Sequence, residues 1–220
     1  MFLTTRFNGI VNNMHDYTYH ILGCGAIGSS ASLQLVRMGA DKLCLYDFDK
    51  VEDENIGVSQ YDNRHIGMKK VDALASILKD VNPDISAQRY PERFKEFCAS
   101  DSDIVILGFD SMRARLEAVT ILCAGGTRPL VVIDGRMGAE HYQQYVFKKP
   151  TIKQYESTWY SDEDGDPEPC NSKATSYCSN MSGSFIVNAV RKLITNQPYD
   201  KKFSFSAFRI SFSLMPDSPI

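Results

Sequence analysis

Tyr17-Thr18-Tyr19-His20-Ile21-Leu22-Gly23-Cys24-Gly25-Ala26-Ile27-Gly28 reads as a short, apolar-leaning strand, Tyr17 to Leu22, running straight into a glycine turn. Ser29 to Met38 follows with Ala31, Leu35 and Met38 on one helical face, and Gly39 stands where a C-cap glycine belongs. Lys42 to Tyr46 forms a second strand that ends at Asp47. This order of strand, glycine turn, helix and strand predicts a parallel sheet with crossover helices. Gly23 permits the bend, Gly25 lets backbone N–H groups approach a phosphate, and Gly28 lets helix and strand pack closely. The helix points its positive end at the ligand, and Ala26 and Ile27 complete the expected nucleotide contacts. Asp47 lies in the range usual for an acid that binds ribose hydroxyls. These features fit NAD and ATP equally.

Further along, Phe48 to Gly67 is polar and without sustained periodicity, which predicts a long loop. Lys69 to Leu78 returns to helical spacing, Asn82-Pro83 turns, and Ile85 to Tyr90 is a third strand. A short helix is expected over Phe94 to Ser100. Asp103 to Gly108 and Leu130 to Asp134 are nearly all-apolar runs of the kind buried on both faces of a sheet, with a helix between them over Arg113 to Ala124. Beyond residue 140, Tyr142 to Phe147 and Lys153 to Trp159 alternate and predict antiparallel strands. A helix over Met181 to Ile194 and a terminal strand over Phe203 to Leu214 complete the chain. The expected fold class is a Rossmann-like three-layer α/β/α, its mainly parallel sheet extended by antiparallel C-terminal strands. One nucleotide-binding domain is expected over residues 1–220, with 1–18 as an N-terminal arm and 160–180 as an exposed loop.

Bulk properties narrow the class. The 43% hydrophobic content of the 220 residues excludes a disordered or fibrous chain. A formal net charge of -3 gives no electrostatic case for nucleic acid or an anionic membrane. The amino terminus lacks the continuous apolar region of a signal peptide, and no run approaches the ~18 apolar residues a membrane helix needs. The six cysteines form no CxxC pair, which fits a reduced, cytoplasmic setting.

The downstream residues separate ATP from NAD. Asp47-Phe48-Asp49-Lys50-Val51-Glu52 precedes Asn55, Gln60 and Ile66-Gly67-Met68-Lys69-Lys70, and Gly108-Phe109-Asp110-Ser111-Met112-Arg113-Ala114-Arg115 stands at a strand end. This ordered set, over roughly residues 20 to 136, resembles the ThiF/MoeB/HesA family of E1-like, ubiquitin-activating adenylyltransferases. The resemblance implies ATP- and magnesium-dependent adenylation of a carboxylate belonging to a ubiquitin-like protein, a peptide or a small acid. It assigns ribose hydroxyls to Asp47, magnesium to Asp110, phosphates to Lys70 and Asn55, and ordering of the site to Asp49, with Gln60 also at the nucleotide. It also favours a homodimer in which Arg6 reaches the partner's site. Asp110 equally suits a cap for the helix near Met112, and Lys69 competes with Lys70 for the phosphate role.

The chain departs from the family pattern at several points. Ser59 stands where an arginine normally precedes the glutamine, and Arg64 is the nearest replacement. Gly9 replaces a second arginine of the N-terminal stretch, and Ser111 replaces an asparagine. The paired CxxC ligands of a structural zinc are missing, so no zinc is expected. Cys170 and Cys178 are the candidates for a thioester, against the simpler reading of an inert or partly buried thiol. His15, His20, His65 and His141 form no cluster and read as surface or loop residues. An NAD-dependent oxidoreductase is the alternative on the same glycine turn, and a nucleotide-binding scaffold without turnover is a third reading.

Overall fold

The computed structural model describes residues 6–163 and 174–206. A seven-stranded sheet runs in the order β3-β2-β1-β4-β5-β6-β7, with β1 Thr18–Leu22, β2 Lys42–Tyr46, β3 Ser86–Tyr90, β4 Asp103–Leu107, β5 Val131–Gly138, β6 His141–Lys148 and β7 Lys202–Ser206. The first five strands are parallel, while β6 and β7 pair antiparallel. The sheet thus has the expected fold class.

Strand alternation sorts side chains to two faces. Ile21, Leu43, Leu45, Ile104, Ile106 and Ile133 meet α1 (Ala26–Arg37), α3 (Lys70–Val81) and α6 (Ser176–Ile194) in one core. Leu22, Val105, Leu107 and Val132 face α4 (Met112–Ala124) and Tyr155 of α5 (Ile152–Glu156) in the other. A side chain such as Leu35, fully buried, contributes about 1.5–3 kcal/mol to this packing. Helix α6 lies directly on α1, because a Cβ at Gly183 would stand 2.3 Å from Ser30 Oγ.

Several elements differ from the sequence expectation. Residues 94–100 form no helix. Their rings instead cover the sheet, Phe94 edge-on to Tyr46 at 5.2 Å and Phe97 edge-on to His20 at 4.9 Å. Lys153 to Trp159 is not a strand: α5 occupies its first half, started by a capping box in which Thr151 and Gln154 satisfy each other's backbone N–H groups. The long loop after Phe48 contains α2 (Asp53–Ile56) and a 3-10 turn at Asn63–His65. Helix α6 starts at Ser176 rather than Met181, and only Lys202–Ser206 of the terminal strand falls among the described residues. His20 and His65 are buried, not at the surface. Among the described residues no helix is long and apolar enough to cross a membrane.

Strand order reverses between β1 and β4, whose neighbours lie on opposite sides. The crevice beyond the carboxyl ends of these two strands is where open parallel sheets bind ligands.

Candidate functional site

Gly23 follows β1 with φ +95°, and Gly108 follows β4. The two turns touch: a Cβ at Gly23 would stand 2.8 Å from the carbonyl carbon of Gly108. Gly28 is tighter still, since its Cβ would stand 1.9 Å from the Gly23 carbonyl oxygen. Gly25, by contrast, would meet nothing within 4 Å, and it caps α1 without any side-chain hydrogen bond. The start of α1 thus carries no side-chain cap, and its first N–H groups, which lack partners within the helix, suit a phosphate.

Asp47 closes one side of this opening. Its carboxylate accepts the Cys24 N–H at 2.8 Å and the Asp49 N–H at 2.8 Å, so it fixes the glycine turn and its own loop together. Burial raises the Asp47 pKa above the ordinary value, although the two N–H groups and Lys70 pull it down. The Lys70 ammonium, its side chain only 12% exposed, pairs with Asp49 at 3.1 Å. Burial acts to lower its pKa, but Asp47, Asp49 and Asp110 together hold it above the ordinary range. Asp47, Lys70 and Asp110 thus converge on one electrostatic neighbourhood. Lys69 turns elsewhere and donates to the Phe48 carbonyl at 2.6 Å.

Asp110 is exposed and its carboxylate makes no hydrogen bond among the described residues. It does not cap α4. Ser111 does, with Oγ accepting the Ala114 N–H at 3.3 Å, and Asp162 accepts the Met112 N–H at 2.7 Å. An exposed carboxylate near the Lys70 ammonium fits Mg2+, which takes one or two carboxylates plus substrate phosphates. Asn55 Oδ1 accepts the Glu52 N–H at 3.0 Å in the capping box of α2, leaving its amide nitrogen unengaged among the described residues. Gln60 is directed away from the nucleotide side: its amide donates to Asn180 Oδ1 of α6 at 2.9 Å.

The remaining cations and thiols stand apart. Arg64, exposed, pairs with Asp62, whose pKa the guanidinium pushes down to about 2. Arg6 is exposed, and no hydrogen bond or ion pair joins it to the cluster among the described residues. Cys178 is buried, and desolvation raises its thiol pKa. This is the opposite of what a thioester nucleophile needs. Cys170 lies outside the described residues.

Two features had not been read from the sequence. Tyr61, buried, donates its hydroxyl to the Cys24 carbonyl at 2.5 Å and lies 3.3 Å from the Lys70 carbonyl, bracing the glycine turn against α3. Midway along β5, Asp134 is fully buried between Arg115 and Arg136 and also accepts the Tyr155 hydroxyl at 3.0 Å. Arg115 also reaches the Phe109 and Leu107 carbonyls, and Arg136 donates to the Thr158 carbonyl at 2.7 Å.

The model of the ThiF family matches residues 8–218. Ubiquitin-like modifier-activating enzyme 5 of Bombyx mori is 33% identical over 133 residues, covering 52% of this chain and 34% of that protein. Its namesake in Oryza sativa subsp. japonica is 39% identical over 85 residues, 37% of this chain and 20% of that protein. The chain therefore spans about a third or less of the length of these two relatives. Among solved structures, E. coli MccB with AMPCPP and MccA has a TM-score of 0.71 at 16% identity, over 90% of this chain and 63% of MccB. PaaA has a TM-score of 0.69 at 21% identity, over 89% of this chain and 62% of PaaA. At those identities the likeness concerns the fold.

Proposed function

The chain belongs to the ThiF family, and on that footing we propose that it adenylates a carboxylate with ATP and Mg2+, at the C-terminus of a ubiquitin-like protein or peptide. The observation that carries this reading is the Lys70 ammonium held among Asp47, Asp49 and Asp110 at the mouth of an uncapped glycine turn. The names of the two curated relatives, and MccB solved with AMPCPP and MccA, point the same way.

The chemistry suits these residue types. A carboxylate oxygen attacks the α-phosphorus, the bond to pyrophosphate breaks, and the nucleophile is already ionised at neutral pH, so no general base is required. What the protein must do is align two anions and offset their charge. The α1 N–H groups and Asn55 hold phosphate oxygens, Asp47 accepts the ribose hydroxyls, and Asp49 keeps Lys70 aimed at the phosphates. Three carboxylates against one lysine leave an excess of two negative charges before any phosphate arrives. Mg2+ on Asp110 supplies the missing positive charge when bound. A homodimer in which a second copy contributes Arg6 adds a further cation at a site whose own arginines are engaged elsewhere.

The test is thermal stabilisation of the chain by ATP with Mg2+ against NAD. A ligand at ~100 times its Kd adds about 2.7 kcal/mol. Stabilisation by ATP should need Mg2+, and Asp110→Ala should remove the magnesium-dependent part. Stabilisation by NAD and not by ATP overturns the proposal. Turnover is then read as pyrophosphate exchange into ATP that appears only when a carboxylate substrate is added.

A further inference from the structure

The turn that carries Asp110 is gripped on both sides, while Asp110 itself is left free. Before it, Arg115 donates to the Phe109 carbonyl and, at 3.4 Å, to the Leu107 carbonyl. After it, the Asp162 carboxylate accepts the Met112 N–H at 2.7 Å, the Ser111 hydroxyl at 3.2 Å and the Arg113 N–H at 3.4 Å. Trp159 adds a fourth bond, its indole N–H donating to the Met112 carbonyl at 2.8 Å.

Asp162 is 50 residues or so distant in sequence from the turn it holds, and it is not placed there by chance. Arg136 anchors the segment that delivers it. Its guanidinium binds the Thr158 carbonyl at 2.7 Å and the Thr158 hydroxyl at 3.2 Å, and it lies 5.3 Å from the ring centre of Tyr160. Arg136 is in turn fixed by Asp134, the same carboxylate that binds Arg115. One buried acid therefore ties together both clamps. The exposed ligand-bearing turn between them inherits their rigidity.

We infer that Asp162 is a positioning residue for Asp110: it locks the start of α4 so that the Asp110 carboxylate is already oriented for Mg2+ before nucleotide arrives. This rests on the adenylation reading above. Partners that orient a metal ligand without touching the metal commonly change metal affinity when removed, and a preorganised ligand loses less freedom on binding. The Met112 and Arg113 N–H groups and the Ser111 hydroxyl all need an acceptor at this position, so an amide of the same shape separates position from charge.

The experiment titrates Mg2+ against the full chain at fixed ATP, with AMP binding in the absence of metal as the parallel readout. Asp162→Ala should raise the half-saturating Mg2+ concentration about tenfold, with AMP binding unchanged. Asp162→Asn keeps an acceptor for the Met112 N–H and should retain most of the wild-type magnesium response. Trp159→Phe, which keeps an aromatic side chain but lacks the indole N–H that binds the Met112 carbonyl, should shift the midpoint in the same direction by a smaller factor and covers the case in which Asp162→Ala fails to fold. An unchanged midpoint in Asp162→Ala overturns the inference. So does a parallel loss of AMP binding, which marks a general structural role, or an Asn variant as impaired as Ala, which marks a role for charge. If wild-type ATP binding needs no Mg2+, the adenylation reading itself fails, and this inference falls with it.

Discussion

The Tyr61 hydroxyl and the Cys24 main-chain carbonyl stand 2.5 Å apart, inside the core and directly beneath the glycine turn. Cys24 is also the residue whose N–H binds Asp47, so the peptide units on its two sides are held, one by a carboxylate and the other by a phenol. The same hydroxyl lies 3.3 Å from the Lys70 carbonyl at the first turn of α3. One side chain from the long loop thus links the glycine turn to the helix that presents Lys70.

Tyr61→Phe removes that link while keeping the ring in place. It leaves a buried carbonyl without its donor, which costs about 1–3 kcal/mol. Urea denaturation should show the loss as a lower midpoint with an unchanged slope. ATP affinity should fall as well, because Cys24 and Lys70 are no longer fixed relative to each other. A variant as stable as the parent would mean that the hydroxyl contributes nothing there.

Gly28→Ala tests the close packing of α1 against the turn. The added Cβ meets the Gly23 carbonyl oxygen at 1.9 Å, a backbone atom that cannot rotate away. The turn must shift, at a cost near the upper end of about 1–3 kcal/mol. Gly25→Ala is the informative contrast. Its Cβ meets nothing within 4 Å, so the fold should tolerate it while nucleotide binding weakens from obstruction of the phosphate space. Equal stability losses in the two variants would contradict this division of labour.

These glycines were legible in the sequence because they cluster between the end of a strand and the first turn of a helix, and the apolar runs Asp103 to Gly108 and Leu130 to Asp134 marked the central strands just as directly. Where local signals competed, the reading failed. Residues 153–159 alternate like a strand, yet the Thr151–Gln154 capping box starts a helix there. Phe94 and Phe97 are spaced like one face of a helix, yet in the fold their rings lie edge-on to Tyr46 and His20 of the sheet. Asp47, Lys70 and Asp110 were singled out as candidates through their order along the chain. Asp134, Arg136 and Asp162 were not, because apart from the Asp134–Arg136 pair itself their partners lie on other elements, and long-range pairing leaves no local pattern.

Asp47 gives a pH signature. Burial raises its pKa above the ordinary aspartate value of about 4. The ribose hydroxyls need an ionised acceptor, so ATP affinity should increase as pH rises through the folded-state value and be lost below it. Folding stability carries the opposite sign for this group. A raised carboxyl contributes stability that is full below the unfolded pKa and declines as pH rises through the folded one. ATP phosphates also titrate in acid, so the comparison is between the parent and Asp47→Asn across the same range. The two affinity curves should diverge with rising pH. Parallel curves would remove Asp47 from ribose binding.

Lys69 and Lys70 are adjacent in sequence and opposite in situation, which makes them a matched pair. Lys70→Met strips the one ammonium from among Asp47, Asp49 and Asp110, leaving three carboxylates to repel an incoming triphosphate. Charge-assisted hydrogen bonds contribute about 1.5–3 kcal/mol, so ATP affinity should drop roughly 10- to 100-fold. Adenosine, which has no phosphates, should bind both proteins alike. Lys69→Met removes only a bond to the Phe48 carbonyl and should leave ATP affinity within about twofold, since an exposed polar contact of this kind contributes little. Calorimetric titration of each variant with ATP and with adenosine separates the roles. If Lys69→Met proves the more damaging of the two, or if Lys70→Met weakens adenosine as much as ATP, then the phosphates do not lie against Lys70 and the cluster of acids around it serves the fold alone.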